Sequence, residues 1–164
     1  MLVDMVRAVN AQLRRTQAVA ERMDAEAEPF VAAALVQAVY LQSELAVNFY
    51  LVECRTAIGG ARDVGPIGNS EQAALAAPHG NPRLQELARA HSEGEWLWHL
   101  LAGAAAARTP APARGLNNPL FDPDDTQLIG SSRFENQLDP KQWRAAFAEF
   151  HALIQRQRDI HAEF

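Results

Sequence analysis

With 164 residues, 48% of them apolar and 21% charged, the chain has the composition of a single globular domain spanning residues 1–164. Its formal charge of −5 counts against nucleic acid or an anionic membrane surface as the main partner. The one cysteine, Cys54, cannot close an internal disulfide, so no oxidising compartment is implied, and it reads as a small buried hydrophobe.

Residues 2 to about 26 have the period of a helix. Leu2, Val6, Val9, Leu13, Ala20 and Met23 recur at spacings of three and four, with Thr16 in the one polar position of the stripe. The other faces carry Arg7, Arg14, Arg15 and Arg22, then Asp24, Glu26 and Glu28, which read as a solvated surface with a local Arg22–Glu26 pair. These charges leave residues 1–27 no continuous apolar run of the signal-peptide kind. A short turn follows, so the first two helices are expected to be antiparallel neighbours.

Residues 28–58 predict a second, central helix roughly 45 Å long at 1.5 Å per residue. Pro29 suits its first turn, and Gly59 can supply the left-handed residue that ends it. Val36, Tyr40, Val47, Tyr50, Cys54 and Ile58 share one face; Leu41, Leu45, Phe49 and Val52 share another. Between them runs a polar line of Gln37, Glu44, Asn48 and Arg55. A helix apolar on two sides is expected at the centre of a bundle, as its most buried element. As a membrane span it would place Gln37, Gln42, Glu44 and Asn48 near mid-bilayer, which is strongly disfavoured. The expected address is therefore the cytoplasm, with no membrane contact.

Glycines and prolines between residues 59 and 82 mark a connector, with one or two helical turns capped by Ser70. Asn81-Pro82 predicts the cap and first turn of a third helix running to about His91. Ser92-Glu93-Gly94-Glu95 has the S-x-x-E form of a capping box, so a new or kinked helix is expected there, carrying Trp96, Leu97, Leu100, Leu101, Ala104 and Ala105 to about Arg108. Residues 109–138 contain Pro110, Pro112, Pro119 and Pro123 and show no helical period. A loop this long is uncommon in a compact domain and is often functional. Asp139-Pro140 caps a last helix whose Trp143, Phe147, Phe150, Ile154, His161 and Phe164 keep to one face. The expected architecture is all-α: an antiparallel bundle of four long helices with a long Pro-containing loop before the last.

Several stretches resemble a family of uncharacterised helical proteins from Pseudomonas and related proteobacteria, described as a domain of unknown function. They are Tyr40-Leu41-Gln42, Phe49-Tyr50-Leu51-Val52-Glu53-Cys54-Arg55, Leu84-Gln85-Glu86-Leu87, Gly94-Glu95-Trp96-Leu97, Leu128-Ile129-Gly130-Ser131, and Trp143 with Leu153-Ile154 and Arg158. The resemblance covers nearly the whole chain as spaced apolar and aromatic positions. It implies a bacterial, cytoplasmic, helical protein and carries no activity with it.

Four groups of residues are candidates for chemistry or recognition. His91, Glu95 and His99 lie at i, i+4 and i+8, with His151 of the last helix able to approach them, a set that could hold a first-row metal, although Gly94 interrupts the helix between His91 and His99. No cofactor is expected. Arg156 and His161 have the R-x4-H spacing that resembles the HEPN ribonucleases, which are also helical bundles; that resemblance implies a metal-independent nuclease in which the histidine is acid or base and the arginine stabilises phosphorane charge. Glu44 and Asn48, with Gln37 and Arg55, could bind a small ligand or fix helix register. Trp98 lies off the Leu97/Leu101/Ala104 stripe, and Leu116, Leu120 and Phe121 sit between prolines, so together they could form an interface. The preferred reading is a non-catalytic protein-interaction or scaffold bundle whose partner is protein, either a second copy or a different chain. The alternatives are a HEPN-like nuclease and a bundle binding a small ligand or metal.

Overall fold

The computed structural model describes residues 2–57, 68–76, 78, 80–108 and 138–162. Within them the chain is all-helical: α1 (Leu2–Ala25), α2 (Pro29–Ala57), a 3-10 turn (Asn69–Gln72) leading into the single turn α3 (Ala73–Ala76), α4 (Pro82–Ser92), α5 (Trp96–Arg108) and α6 (Pro140–Ala162). Three long helices and two shorter ones stand where four long ones were expected. The 109–138 loop, including Leu116, Leu120 and Phe121, falls almost wholly outside the described residues, as does Gly59.

Local chemistry explains most boundaries. The Glu28 carboxylate accepts from the backbone N–H groups of Phe30 at 3.1 Å and Val31 at 2.7 Å, satisfying donors that α2 leaves open beside Pro29. Asn81 does the same for Arg83 and Leu84 at the start of α4, and its amide also donates to the Cys54 carbonyl at 3.2 Å, pinning α4 to the end of α2. Asp139 caps α6 through the Lys141 N–H at 2.8 Å.

Two expected caps are corrected. The 3-10 turn starts at Asn69 after Gly68 with no side-chain cap, so Ser70 lies inside it. Ser92 is the last residue of α4 and donates to the Arg89 carbonyl instead of opening a new helix. What stops α4 is Gly94 at φ +72°, with the Gly94 N–H on the His91 carbonyl at 3.3 Å and the Glu95 N–H on the Ala90 carbonyl at 3.0 Å. These paired backward bonds are a Schellman stop, which needs a left-handed residue that glycine supplies without strain.

Contacts between side chains set the directions. The Gln12 amide donates to the Gln42 carbonyl at 3.1 Å across the α1–α2 hairpin. Trp143 Nε1 donates to Ser43 Oγ at 2.8 Å and Tyr50 donates to Gln157 Oε1 at 2.7 Å, so α6 runs parallel to α2. Trp96 stacks on Phe150 at 5.7 Å while His99 meets Gln142 at 2.9 Å, so α5 runs antiparallel to α6. Tyr40, Tyr50, Leu51, Leu97, Leu100, Phe150 and Ile154 form the centre of the core and are fully buried.

The central helix is buried only over its second half. Its buried residues run from Val39 to Cys54, whereas Phe30 is 81% exposed at the other end. Of its two apolar faces, the one bearing Tyr40, Val47, Tyr50 and Cys54 is covered; Leu41, Leu45 and Phe49 on the other are half-buried. Among the described helices, α2 is the one long and apolar enough to cross a membrane.

Candidate functional site

Charged and amide side chains meet inside the bundle where α2, α4 and α6 converge. The Glu53 carboxylate, 1% exposed, accepts from Arg83 Nη2 at 3.1 Å, from Arg158 Nε at 3.0 Å and from Arg158 Nη2 at 2.5 Å. Arg83 also donates to the Tyr50 hydroxyl at 2.9 Å and lies over the Tyr50 ring, 5.2 Å from its centroid. Gln157 closes the circuit, accepting from Tyr50 and donating to Glu86 at 2.7 Å, and Arg158 reaches Asn10 on α1 at 2.8 Å. Burial pushes the Tyr50 hydroxyl well above the usual phenol range and the Cys54 thiol up to about 12, so both stay protonated and neither is an activated nucleophile. Each charge in this network is spent on another group of the protein, and its geometry is that of a clamp on four helices.

Farther along α2, Glu44 is buried and paired with Arg108 at the end of α5. Gln72 of the 3-10 turn donates to Glu44 at 2.9 Å and to Asn48 at 3.3 Å. Of the polar line expected on α2, only Glu44 and Asn48 are buried; Gln37 is exposed, and Arg55 reaches out to Glu71 at 2.7 Å. Glu44 therefore has committed partners and does not merely fill a gap.

A groove of about 750 Å³, open to solvent, lies between α1 and α6. Its floor is Leu13, Ala20, Trp143 and Phe147, and its walls carry Arg14, Gln17, Asp24, Arg144, His151 and Gln155. Arg144 pairs with Asp24 at one end, and Arg158 meets Asn10 at the other, so the helices run antiparallel along it. Exposed Ala148 and Ala152 leave the α6 wall low. Neither this groove nor the second cleft, of about 370 Å³, is lined by Tyr50, Glu53, Cys54, Arg83 or Gln157.

The other sequence candidates are not assembled into a site. His91 lies in the last turn of α4 while Glu95 and His99 follow the Gly94 break, and no group of three metal-ligating side chains occurs among the described residues. His99 instead meets Gln142. Arg156 is paired with Glu86 in the second cleft, which Arg89 and the carboxylates of Glu95 and Glu149 also line, so its guanidinium is already engaged. The side chain of its proposed partner His161 lies outside the described residues. Trp98 is 44% exposed, as its position off the apolar stripe predicts, with its edge against His99.

Sequence reasoning missed Glu53, Arg83, Gln157 and the groove. The available signal for Glu53 was a lone acid in the otherwise apolar stretch Phe49-Tyr50-Leu51-Val52-Glu53-Cys54. Nothing comparable marked the groove, which exists because α1 and α6 stand apart. Comparison with known proteins returns no match among family models, curated proteins or solved structures.

Proposed function

We propose that this protein is a non-catalytic helical scaffold that binds a partner protein in the groove between α1 and α6. The groove carries the reading: it is elongated, floored by apolar side chains, walled by polar ones and open to solvent. The polar groups that might have signalled catalysis are instead paired with one another in the core. Exposed Trp98 offers a second apolar contact on the α5 side.

In this reading α4 and α5 act as one helix interrupted at Gly94, so that α1, α2, α4–α5 and α6 make an antiparallel four-membered bundle. The protein is cytoplasmic, with α2 as a core helix. Glu44 and Glu53 support this, because their partners Arg108, Arg83 and Arg158 come from helices that would have to accompany α2 into a bilayer. A bacterial origin, in the helical family that the sequence resembles, belongs to the same proposal.

Photo-crosslinking tests the reading. A photoreactive residue at Ala152, in the groove, is expected to give a discrete partner adduct in cells, and the same residue at exposed Ala145, outside it, is not. Ala148→Trp should fill the groove and abolish the adduct without lowering the melting temperature. Equal adducts from both positions, or none from Ala152, would remove the groove as the functional site.

A further inference from the structure

The groove's charge identifies the chemistry of its partner. Its walls hold two guanidiniums, Arg14 and Arg144, and the imidazole of His151, against the single carboxylate of Asp24. With the imidazole neutral, as in the chain's formal charge of −5, the lining still carries a net charge of +1. Arg14 and His151 have no partner among the described residues, whereas Arg144 is held by Asp24 in a pair whose two side chains are each half exposed. An exposed pair of that kind is worth little and is readily exchanged for a better one.

The apolar floor alone cannot drive docking. Leu13, Ala20, Trp143 and Phe147 are already almost covered by their neighbours, so a purely apolar ligand would gain little there. The unsatisfied part of the groove is its positive charge. Its length follows from its lining: Asn10 to Asp24 on α1 spans roughly 21 Å at 1.5 Å per residue, matched by Trp143 to Gln155 on α6. Low walls at Ala148 and Ala152 let a backbone approach closely.

We infer that the groove takes an acidic amphipathic helix of about four turns from another protein, with small apolar residues against the floor and carboxylates on Arg14, His151 and Arg144. This rests on the reading of the groove as the docking site. A nucleic acid is the poorer match, because a continuous phosphate chain would run past Asp24 and meet the excess acid of the rest of the molecule.

Two synthetic helical peptides test it, identical in their leucine and alanine positions but carrying glutamate in one and lysine in the other. Backbone amide NMR shifts locate binding, and titration calorimetry at low and raised salt measures it. The glutamate peptide is expected to shift amides in Asn10–Asp24 and Trp143–Gln155, to weaken with salt, and to lose about tenfold in affinity in Arg14→Glu. Arg15→Glu, on the same helix but not lining the groove, should leave its binding unchanged. The lysine peptide should not bind. Binding of the lysine peptide to the same amides would keep the groove as a docking site and overturn the acidic partner. Failure of both peptides to shift groove amides would overturn both readings. An RNA oligonucleotide shifting those amides, or dimerisation blocked by Ala148→Trp, would replace the acidic helix with that occupant.

Discussion

Glu53 and Arg158 form a bidentate pair inside the bundle, with Arg158 Nε at 3.0 Å and Nη2 at 2.5 Å from the carboxylate, and Arg83 shares the same carboxylate from α4 at 3.1 Å. One acid on α2 thus pairs with guanidiniums from two other helices. Removing it strands both. Glu53→Ala is expected to cost about 3–5 kcal/mol, the scale of a broken buried pair, and Glu53→Gln less, because an amide still accepts one hydrogen bond. Urea unfolding followed by circular dichroism checks this. A loss below about 1 kcal/mol would mean that the guanidiniums find water instead.

That clamp also marks the limit of what the sequence discloses. Helix positions follow from local rules: Pro29, Asn81-Pro82 and Asp139-Pro140 each open the helix they predict. The break at Gly94 was legible as a break, but Ser92 was misassigned because a capping box and a Schellman stop share glycine-flanked polar residues, and only backbone bonding separates them. Pairing was not legible. Glu44 and Glu53 lie nine residues apart on one helix, yet their partners are 64 and 30 positions away in sequence, at Arg108 and Arg83. Helical period says which face a residue occupies, not which helix covers that face or which faces are left apart, so the α1–α6 groove had no sequence signature.

Glu44 gives a second test of pairing. Its carboxylate is buried, while Arg108 is 39% exposed and can return to water when its partner is lost. Glu44→Leu should therefore cost about 1–3 kcal/mol, less than Glu53→Ala, because apart from Arg108 it leaves only Gln72 short of a bond, and Gln72 keeps its bond to Asn48. Arg108→Ala leaves the buried acid facing Gln72 alone and should be the more damaging of the two. Denaturation midpoints of the two variants decide it; an unchanged midpoint in Glu44→Leu would show that the pair contributes nothing.

Gly103 sits in α5 where an added methyl would overlap the Tyr40 ring. Tyr40 has little room to yield, being fully buried with its hydroxyl on the Asp139 carbonyl at 3.0 Å. Alanine would gain about 1 kcal/mol of helix propensity over glycine. Overpacking against a fixed ring costs about 1–3 kcal/mol, so Gly103→Ala should be net destabilising. Combining it with Tyr40→Leu should recover part of the loss, a coupling that a double-mutant cycle measures directly. Strict additivity would place the two residues out of contact.

The chain has two tyrosines, Tyr40 and Tyr50, and both hydroxyls are hydrogen-bonded within the fold, at separate places, which makes alkaline unfolding unusually easy to read. Burial, with a smaller contribution from Asp139, pushes Tyr40 up to about 12. Burial raises Tyr50 further, and raises Cys54 to about 12. Each group holds its proton more tightly folded than unfolded. The associated stability is therefore complete below the unfolded values, about 8.5 for a thiol and about 10 for a phenol, and is lost as pH rises toward the folded ones. Tyrosinate absorbance should stay absent through pH 10 and then appear together with loss of helical circular dichroism, in one cooperative step. The Cys54 thiol should resist thiol reagents up to the same pH and react within that step. Smooth titration of either tyrosine near pH 10 with the helices intact would put its hydroxyl in water and dissolve the corresponding bond, to Asp139 for Tyr40 or to Gln157 and Arg83 for Tyr50.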